Sequence, residues 1–392
     1  MLIIPRWMGK KGFLALSVGT LALLLLGVVL VVEFRNRNQR LLVQVREMVG
    51  SESFLGFSQS ILKDRDPLLF PLKSRIEIDQ FLAENSGRLD WSENEGPESK
   101  DILANVMAYD REFLEVVKSA PARKPSVSEE LHLSSFNLAG ARDRLVSIMN
   151  PAVGGGDSER VVRQLVSAVE ATEMLYGGSG SLIEELMRQA VLIDFCKNFT
   201  MTLNNYSVDQ LETKELKSLL EVLERVESPK SAISTAIKTD ILGSIELVYS
   251  DQSQYFPPGP IGYLYEPDIE FFLRYQIQLL KDLENIETVG EFSPLVDIPW
   301  YAIYTRVLVL GDSSLTRAVQ ESAVTAGQLH YLRDYLRIII SERDSGQKFE
   351  GDLSEFSKIS TNGEEGVRTL EYLGLFSSSR HVDWEKQPLQ LP

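Results

Sequence analysis

From Gly12 to Val32 the chain runs for twenty-one residues without a charged side chain, and the run is dense in Leu and Val. As a helix at 1.5 Å per residue it spans about 31 Å, close to the ~30 Å hydrocarbon core of a bilayer. Lipid offers no hydrogen-bond partners, so a lone spanning segment must satisfy its backbone internally, and only a helix does that. Trp7 and Phe34 stand near its two ends, where aromatic rings favour the lipid–water interface. A cleaved signal would need a shorter apolar core followed by a small-x-small site. Here Val28-Val29-Leu30-Val31-Val32 runs straight into Glu33. The expected element is an uncleaved transmembrane anchor that meets the lipid bilayer through residues 12–32.

Charge gives this anchor little direction. Arg6, Lys10 and Lys11 precede the run, and Arg35, Arg37 and Arg40 follow it, offset by Glu33. The excess of cations that marks a cytoplasmic flank is therefore absent. The short N-terminal tail resembles an ordinary bacterial signal anchor, which implies an inner-membrane protein with its N-terminus inside and its soluble part in the periplasm.

The rest of the chain has a different electrostatic character. Residues 1–50 hold seven of the 40 Lys/Arg and two of the 56 Asp/Glu, a net +5. The remaining 33 basic and 54 acidic side chains leave −21, within a total of −16. Such a domain repels nucleic acid, so no nucleic-acid partner is expected, while the basic collar suits anionic headgroups. With 44% apolar residues the chain has material for a sizeable core. Cys196 is the only cysteine, so an intrachain disulfide, a Cys-rich zinc site and a redox pair are excluded. Its neighbours Ile193, Phe195 and Phe199 mark it as a small buried hydrophobe on a helix.

Helical periodicity dominates beyond the anchor. The spacing of Leu41, Leu42, Val45, Met48 and Val49 predicts that the membrane helix continues through Arg35–Leu62. Further helices are expected around Ile76–Leu82, after Pro97, and over Phe136–Met149. The next three are expected from Asp157 or Ser158, over Leu182–Met201, and after a capping box of Ser207 and Gln210. Pro229 and Pro267 each open another, and a long one covers Ser313–Glu342, where Ala323, Ala326 and Gly327 permit close approach of a neighbour. The fold class is all-α: a transmembrane helix, then an array of antiparallel helical hairpins, with a short β-hairpin within Val367–Trp384. Helix pairs recur about every 45 residues, which fits either a solenoid or an irregular bundle. By segment, residues 1–33 form the tail and anchor, 34–128 juxtamembrane helices and loops, 129–346 the helical hairpin domain and 347–392 a C-terminal tail.

Chemical motifs are sparse. His132, His330 and His381 lie on separate segments without ligand spacing, and Glu129-Glu130-Leu131-His132 is half of a di-iron pattern with no second half. Ser60-Ile61-Leu62-Lys63 spells Ser-x-x-Lys without the Ser-x-Asn and Lys-Thr-Gly partners that chemistry requires; Lys238-Thr239-Asp240 is the nearest approach. Gly154-Gly155-Gly156-Asp157-Ser158 lacks the Lys-Ser/Thr of a phosphate loop. Asn198-Phe199-Thr200 and Asn205-Tyr206-Ser207 are formal glycosylation sequons. No catalytic residue, cofactor or metal is expected. The surface candidate is the aromatic and proline segment with Tyr255, Phe256, Tyr263 and Tyr265, residues of the kind enriched where proteins dock; packing of these rings on the helices they connect is the competing reading.

Two resemblances follow from residues already named. The helical hairpins Asp157–Asn204 and Ser207–Tyr249 resemble those of an uncharacterised family of membrane-anchored, helix-rich bacterial proteins. So does the long helix from Arg317-Ala318 through Arg337, followed by Gly346 and a tail to Trp384. The Tyr-Pro pair usual after that glycine is absent, and the resemblance implies topology without chemistry. Lys10-Lys11-Gly12-Phe13 before an apolar helix is similar to a prepilin processing site, with Ser17 where Glu is usual, as in large minor pseudopilins of type II secretion systems. The leading expectation is a membrane-anchored scaffold or interaction protein with an unknown protein partner. The alternatives are an atypical minor pseudopilin and an enzyme with an unrecognised site.

Overall fold

The computed structural model describes residues 10–54, 56–57, 60, 73, 76–85, 100–122, 138–150, 158–177, 181–205, 211–250, 265–284, 302, 305, 312–362, 367–374 and 388–391. Its helices are α1 (Lys10–Val49), α2 (Ile76–Glu84), α3 (Lys100–Ser119), α4 (Leu138–Ile148), α5 (Ser158–Leu175), α6 (Leu182–Asn205), α7 (Thr213–Arg225), α8 (Pro229–Ser250), α9 (Glu266–Glu284) and α10 (Asp312–Ser345). Three strands follow, β1 (Ser357–Asn362), β2 (Val367–Tyr372) and β3 (Leu389–Gln390), antiparallel in the order β1-β2-β3. The chain is all-α with one small sheet. It divides into two compact units: Met1–Phe54 with Ile241–Thr316, and Leu55–Asp240 with Arg317–Pro392.

In the first unit α1 packs along α9. The predicted stripe is realised, because Val45 and Val49 are buried and Leu41, Leu42 and Met48 half-buried, and Asn38 is buried one heptad before Val45. The helix stops earlier than the periodicity suggested, at Val49 rather than Leu62. Gly50 adopts φ 82°, and the amides of Gly50 and Ser51 donate back to Glu47 and Arg46 carbonyls, which closes the last turn. Only glycine enters that left-handed region without a Cβ penalty, so it overrides an apolar pattern that continues beyond it. Phe54 starts a new turn, its amide donating to the Glu246 carboxylate on α8 at 2.7 Å. At the start of α9, Asp268 accepts from the Thr305 amide (3.1 Å) and hydroxyl (2.6 Å), and both residues are buried.

The second unit is an irregular bundle rather than a solenoid. In a solenoid each repeat touches only its neighbours; here α5 packs against α3, α4, α6 and α7, and α4 also meets α6. Ala168 and Ala171, both fully buried, keep α5 slim enough for that central place. One core collects Phe113, Leu145, Leu165, Phe195, Phe199, Leu219 and Leu223 from these helices, and Leu336, Ile339, Leu370 and Leu389 from α10 and the sheet. Cys196 lies wholly inside it, as expected. Ser207 and Gln210 of the expected capping box lie outside the described residues; α7 begins at Thr213, with Glu212 at the cap position and no side-chain cap bond. Arg343 on α10 holds the Leu211 carbonyl just before it at 2.6 Å.

Basic side chains finish two helices. Lys73 Nζ donates to the carbonyls of Lys118 and Ala120 at the end of α3, both at 2.8 Å. At the end of α7, Arg333 donates to the carbonyls of Leu223 and Val226, and Arg188 to that of Glu227. Each cation meets the negative end of a helix dipole. With Arg337–Glu224 and Lys217–Asp344 at 2.8 Å each, α10 is fixed antiparallel to α7.

The sheet lies against the other side of α10. Gly327 is the point of closest approach: a Cβ there would meet Tyr372 Oη at 2.7 Å and Phe356 at 3.2 Å. The small residues on this helix therefore admit the sheet. The hairpin itself starts upstream of the expected Val367–Trp384, because its first strand, Ser357–Asn362, has Ile359 as its one large apolar residue and shows no alternation to read.

Candidate functional site

Among the described residues, one helix is long and apolar enough to cross a membrane, and it is the N-terminal one. Along it Val18, Leu21, Leu23, Leu25, Leu26, Val28, Val29, Leu30 and Val32 are 46–71% exposed. Each such side chain left in water would forgo roughly 1.5–3 kcal/mol of burial. Past Val32 the character changes within two turns. Glu33 pairs with Arg37, whose guanidinium lies 5.9 Å from the Phe34 ring centre, and Arg35 and Arg40 are exposed. Then comes Asn38, only 2% exposed, donating to the backbone carbonyl of Glu266 at 3.0 Å and to its carboxylate at 2.7 Å.

Asn38 thereby fixes the first turn of α9 to α1 six residues beyond the apolar run. Tyr249 at the end of α8 belongs to the same polar group. Burial pushes its hydroxyl up to about 12, the Glu266 carboxylate adds to that, and Arg46 opposes it. Among the described residues neither the Tyr249 hydroxyl nor Arg46 Nε has a hydrogen-bond partner. This cluster bonds α1 to α9, with the Tyr249 phenol of α8 beside it, where the chain leaves its apolar segment.

The second polar cluster lies inside the other unit. Arg188 on α6 is fully buried; its Nε meets Glu173 of α5 at 2.7 Å, and its Nη1 meets the two Glu185 oxygens at 3.1 and 3.3 Å. Desolvation disfavours charge on Arg188, yet Glu173 and Glu185 together drive its proton affinity above the usual arginine range. Burial pushes Glu185 up to about 7, against the pull of Arg188 and the Gln189 amide. Two acids and one base sealed from solvent cannot exchange a substrate, so the geometry is that of a structural clamp on α5, α6 and the end of α7. Asp110 on α3 is a lesser case: burial raises it to about 6, against Arg144 at 3.8 Å and a Ser147 hydrogen bond.

Tyr255, Phe256 and Tyr263 lie outside the described residues, and Tyr265 is half-buried beside the start of α9. His132, His381, the Glu129–His132 pattern, Tyr206 and Ser207 of the second sequon (Asn205 ends α6) and Gly154–Asp157 also lie outside them. His330 is stacked on Phe356, ring centres 5.7 Å apart, and burial lowers its proton affinity. No group of metal-binding side chains occurs among the described residues. Ser60 donates to the Phe57 carbonyl on an exposed turn, and Lys63 lies outside the described residues. Thr239 is buried and bonded to the Thr235 carbonyl. The sequon at Asn198 is helical with Thr200 buried, which withholds the hydroxyl that a glycosylation acceptor must present.

Asn38, Glu266, Arg188, Glu173 and Glu185 were not singled out from the sequence. A signal for the first existed: Asn38 falls seven residues before Val45 on the buried stripe, a polar residue at a core position. No protein-family model matches this chain, and no curated protein or solved structure is similar to it.

Proposed function

We propose that this protein is a single-pass membrane scaffold whose helical units hold a protein partner at the membrane surface. One observation carries the reading. The helix that exposes an apolar run continues without a break into the packed core of the first unit. Asn38 stands about 9 Å past Val32 along the helix, and a headgroup layer is roughly 5–8 Å deep. The Asn38–Glu266 bond therefore falls at the outer edge of the bilayer with no flexible linker between. Such a mount raises the effective concentration of a partner and also fixes the orientation in which it is met. On this reading the anchor lies in a bacterial inner membrane with its N-terminus inside, the helical units face the periplasm, and the exposed Arg35 and Arg40 lie among anionic headgroups.

The test uses the single buried thiol as a silent background. Ser218, exposed on α7, is replaced by Cys, and spheroplasts are treated with a membrane-impermeant maleimide. Labelling without lysis is expected. Labelling only after lysis reverses the orientation, and release of the chain by alkaline carbonate removes the membrane reading altogether.

A further inference from the structure

The strand β3 is seated in the second unit the way a bound peptide is seated on a receptor. It adds to the edge of β2 in antiparallel register, Leu389 opposite Leu370 and Gln390 opposite Thr369, and the Leu391 amide donates to the Arg368 carbonyl at 3.0 Å. Side chains alternate: Leu389 and Leu391 are buried and Gln390 between them is exposed. Two phenols of α10 read the backbone. Tyr331 donates to the Leu370 carbonyl at 2.8 Å and accepts from the Leu389 amide at 3.3 Å, so its oxygen bridges host strand and guest strand. Tyr335 donates to the Gln390 carbonyl at 3.1 Å. Helix α6 supplies a further wall. Main-chain bonds for affinity and sockets for alternate side chains are the two parts of recognition by strand addition.

We infer that this groove is a docking site for an extended apolar-polar-apolar segment, and that its partner is the Leu389–Leu391 segment of a second copy of this chain. Another copy's segment fits because it makes the same contacts, atom for atom; exchange costs nothing in the groove itself. Among the described residues β3 pairs with β2 at two positions, and the Leu391 amide and the two tyrosines add three bonds, so a short set of contacts must break. The sixteen residues between Tyr372 and Leu389, at ~3.3 Å each, reach about 50 Å, so covalent geometry does not confine the segment to its own groove. Copies confined to one membrane would meet at raised local concentration; that clause alone rests on the anchor proposed above.

The test joins the two strands chemically across copies. Thr369→Cys and Gln390→Cys lie opposite one another, so the chain carrying both, in detergent micelles, closes an intrachain disulfide on mild oxidation if the groove is formed. The two single variants are then mixed as full-length chains, held for hours and oxidised. The expected result is a disulfide-linked dimer of one chain of each kind, in a yield that rises with protein concentration. Adding Leu389→Asp to the Gln390→Cys chain is expected to abolish it. Association through α1 alone brings copies together without forming this bond, so success or failure of the membrane reading is scored separately. A closed intrachain disulfide in the double variant, with no mixed dimer at any concentration, overturns the inference. So does a mixed dimer that survives Leu389→Asp. If the double variant fails to close or loses helicity by circular dichroism, the groove is not as described and the inference falls with it.

Discussion

Arg188→Met removes the guanidinium that meets both Glu173 and Glu185, and it replaces it with an apolar chain of similar length. Both carboxylates then stay in a site where Glu173 is 1% and Glu185 3% exposed, and the Glu227 carbonyl at the end of α7 loses its donor. Breaking a buried ion pair from one side costs about 3–5 kcal/mol, because the orphaned charge pays for desolvation without a partner. Cys196 offers a local readout, since it lies on the same helix and is fully buried. Its rate of reaction with a dithiodipyridine reagent, normalised to the unfolded chain at each pH, reports how often this core opens. At about 1.36 kcal/mol per factor of ten, the variant is expected to react a hundredfold to several thousandfold faster at pH 8.

The pH dependence has a definite sign. Glu185 rises from 4.5 to about 7 on folding, so its contribution to stability is complete below pH 4.5 and is lost as pH climbs through 7. For the unsubstituted protein that is about 3 kcal/mol between the two limits, with the more stable form at low pH. Without the opposing pull of Arg188, Glu185 takes up its proton more readily still, so the excess reactivity of the variant must shrink at pH 5.5. The triple variant Glu173→Gln, Glu185→Gln, Arg188→Met carries no buried charge here and is expected to recover most of the loss at pH 8. Equal reactivity of Arg188→Met and the unsubstituted chain at pH 8, or an excess that is the same at both pH values, would falsify this reasoning.

Three further expectations concern packing. Gly327→Val puts atoms where Tyr372 and Phe356 already stand, at 2.7 and 3.2 Å from the Cβ position; a loss of about 1–3 kcal/mol is expected in thermal unfolding, with Gly327→Ala milder. Asn38→Ala leaves the buried Glu266 contacts unmade at a cost of about 1–3 kcal/mol, to be seen as faster proteolysis of the first unit in micelles while Cys196 reactivity stays unchanged. Tyr331→Phe removes the oxygen that donates to the Leu370 carbonyl and accepts from the Leu389 amide, so protection of the Leu389 amide in hydrogen exchange should fall about fivefold, for about 1 kcal/mol, while α5 and α6 amides hold.

What the sequence determined by itself is what local chemistry determines. The apolar run of 12–32, the helical stripe through Val45 and Val49, the helices opened by Pro229 and near Pro267, and the buried Cys196 all follow from spacing and side-chain type within one element. These signals repeat every three or four residues and need no distant partner. Tertiary structure decided what lies far apart in the chain. Nothing local to Asn38 shows that it bonds Glu266, 228 positions away, or that Arg343 holds the Leu211 carbonyl just before α7. The strand Ser357–Asn362 is polar enough to be silent, and exists because β2 pairs with it and α10 bears a glycine where the sheet must approach. Arg188 reads as one more helical cation until α5 brings Glu173 against it. A buried charge is stable only among partners that folding supplies, so its place could be known only from the folded chain.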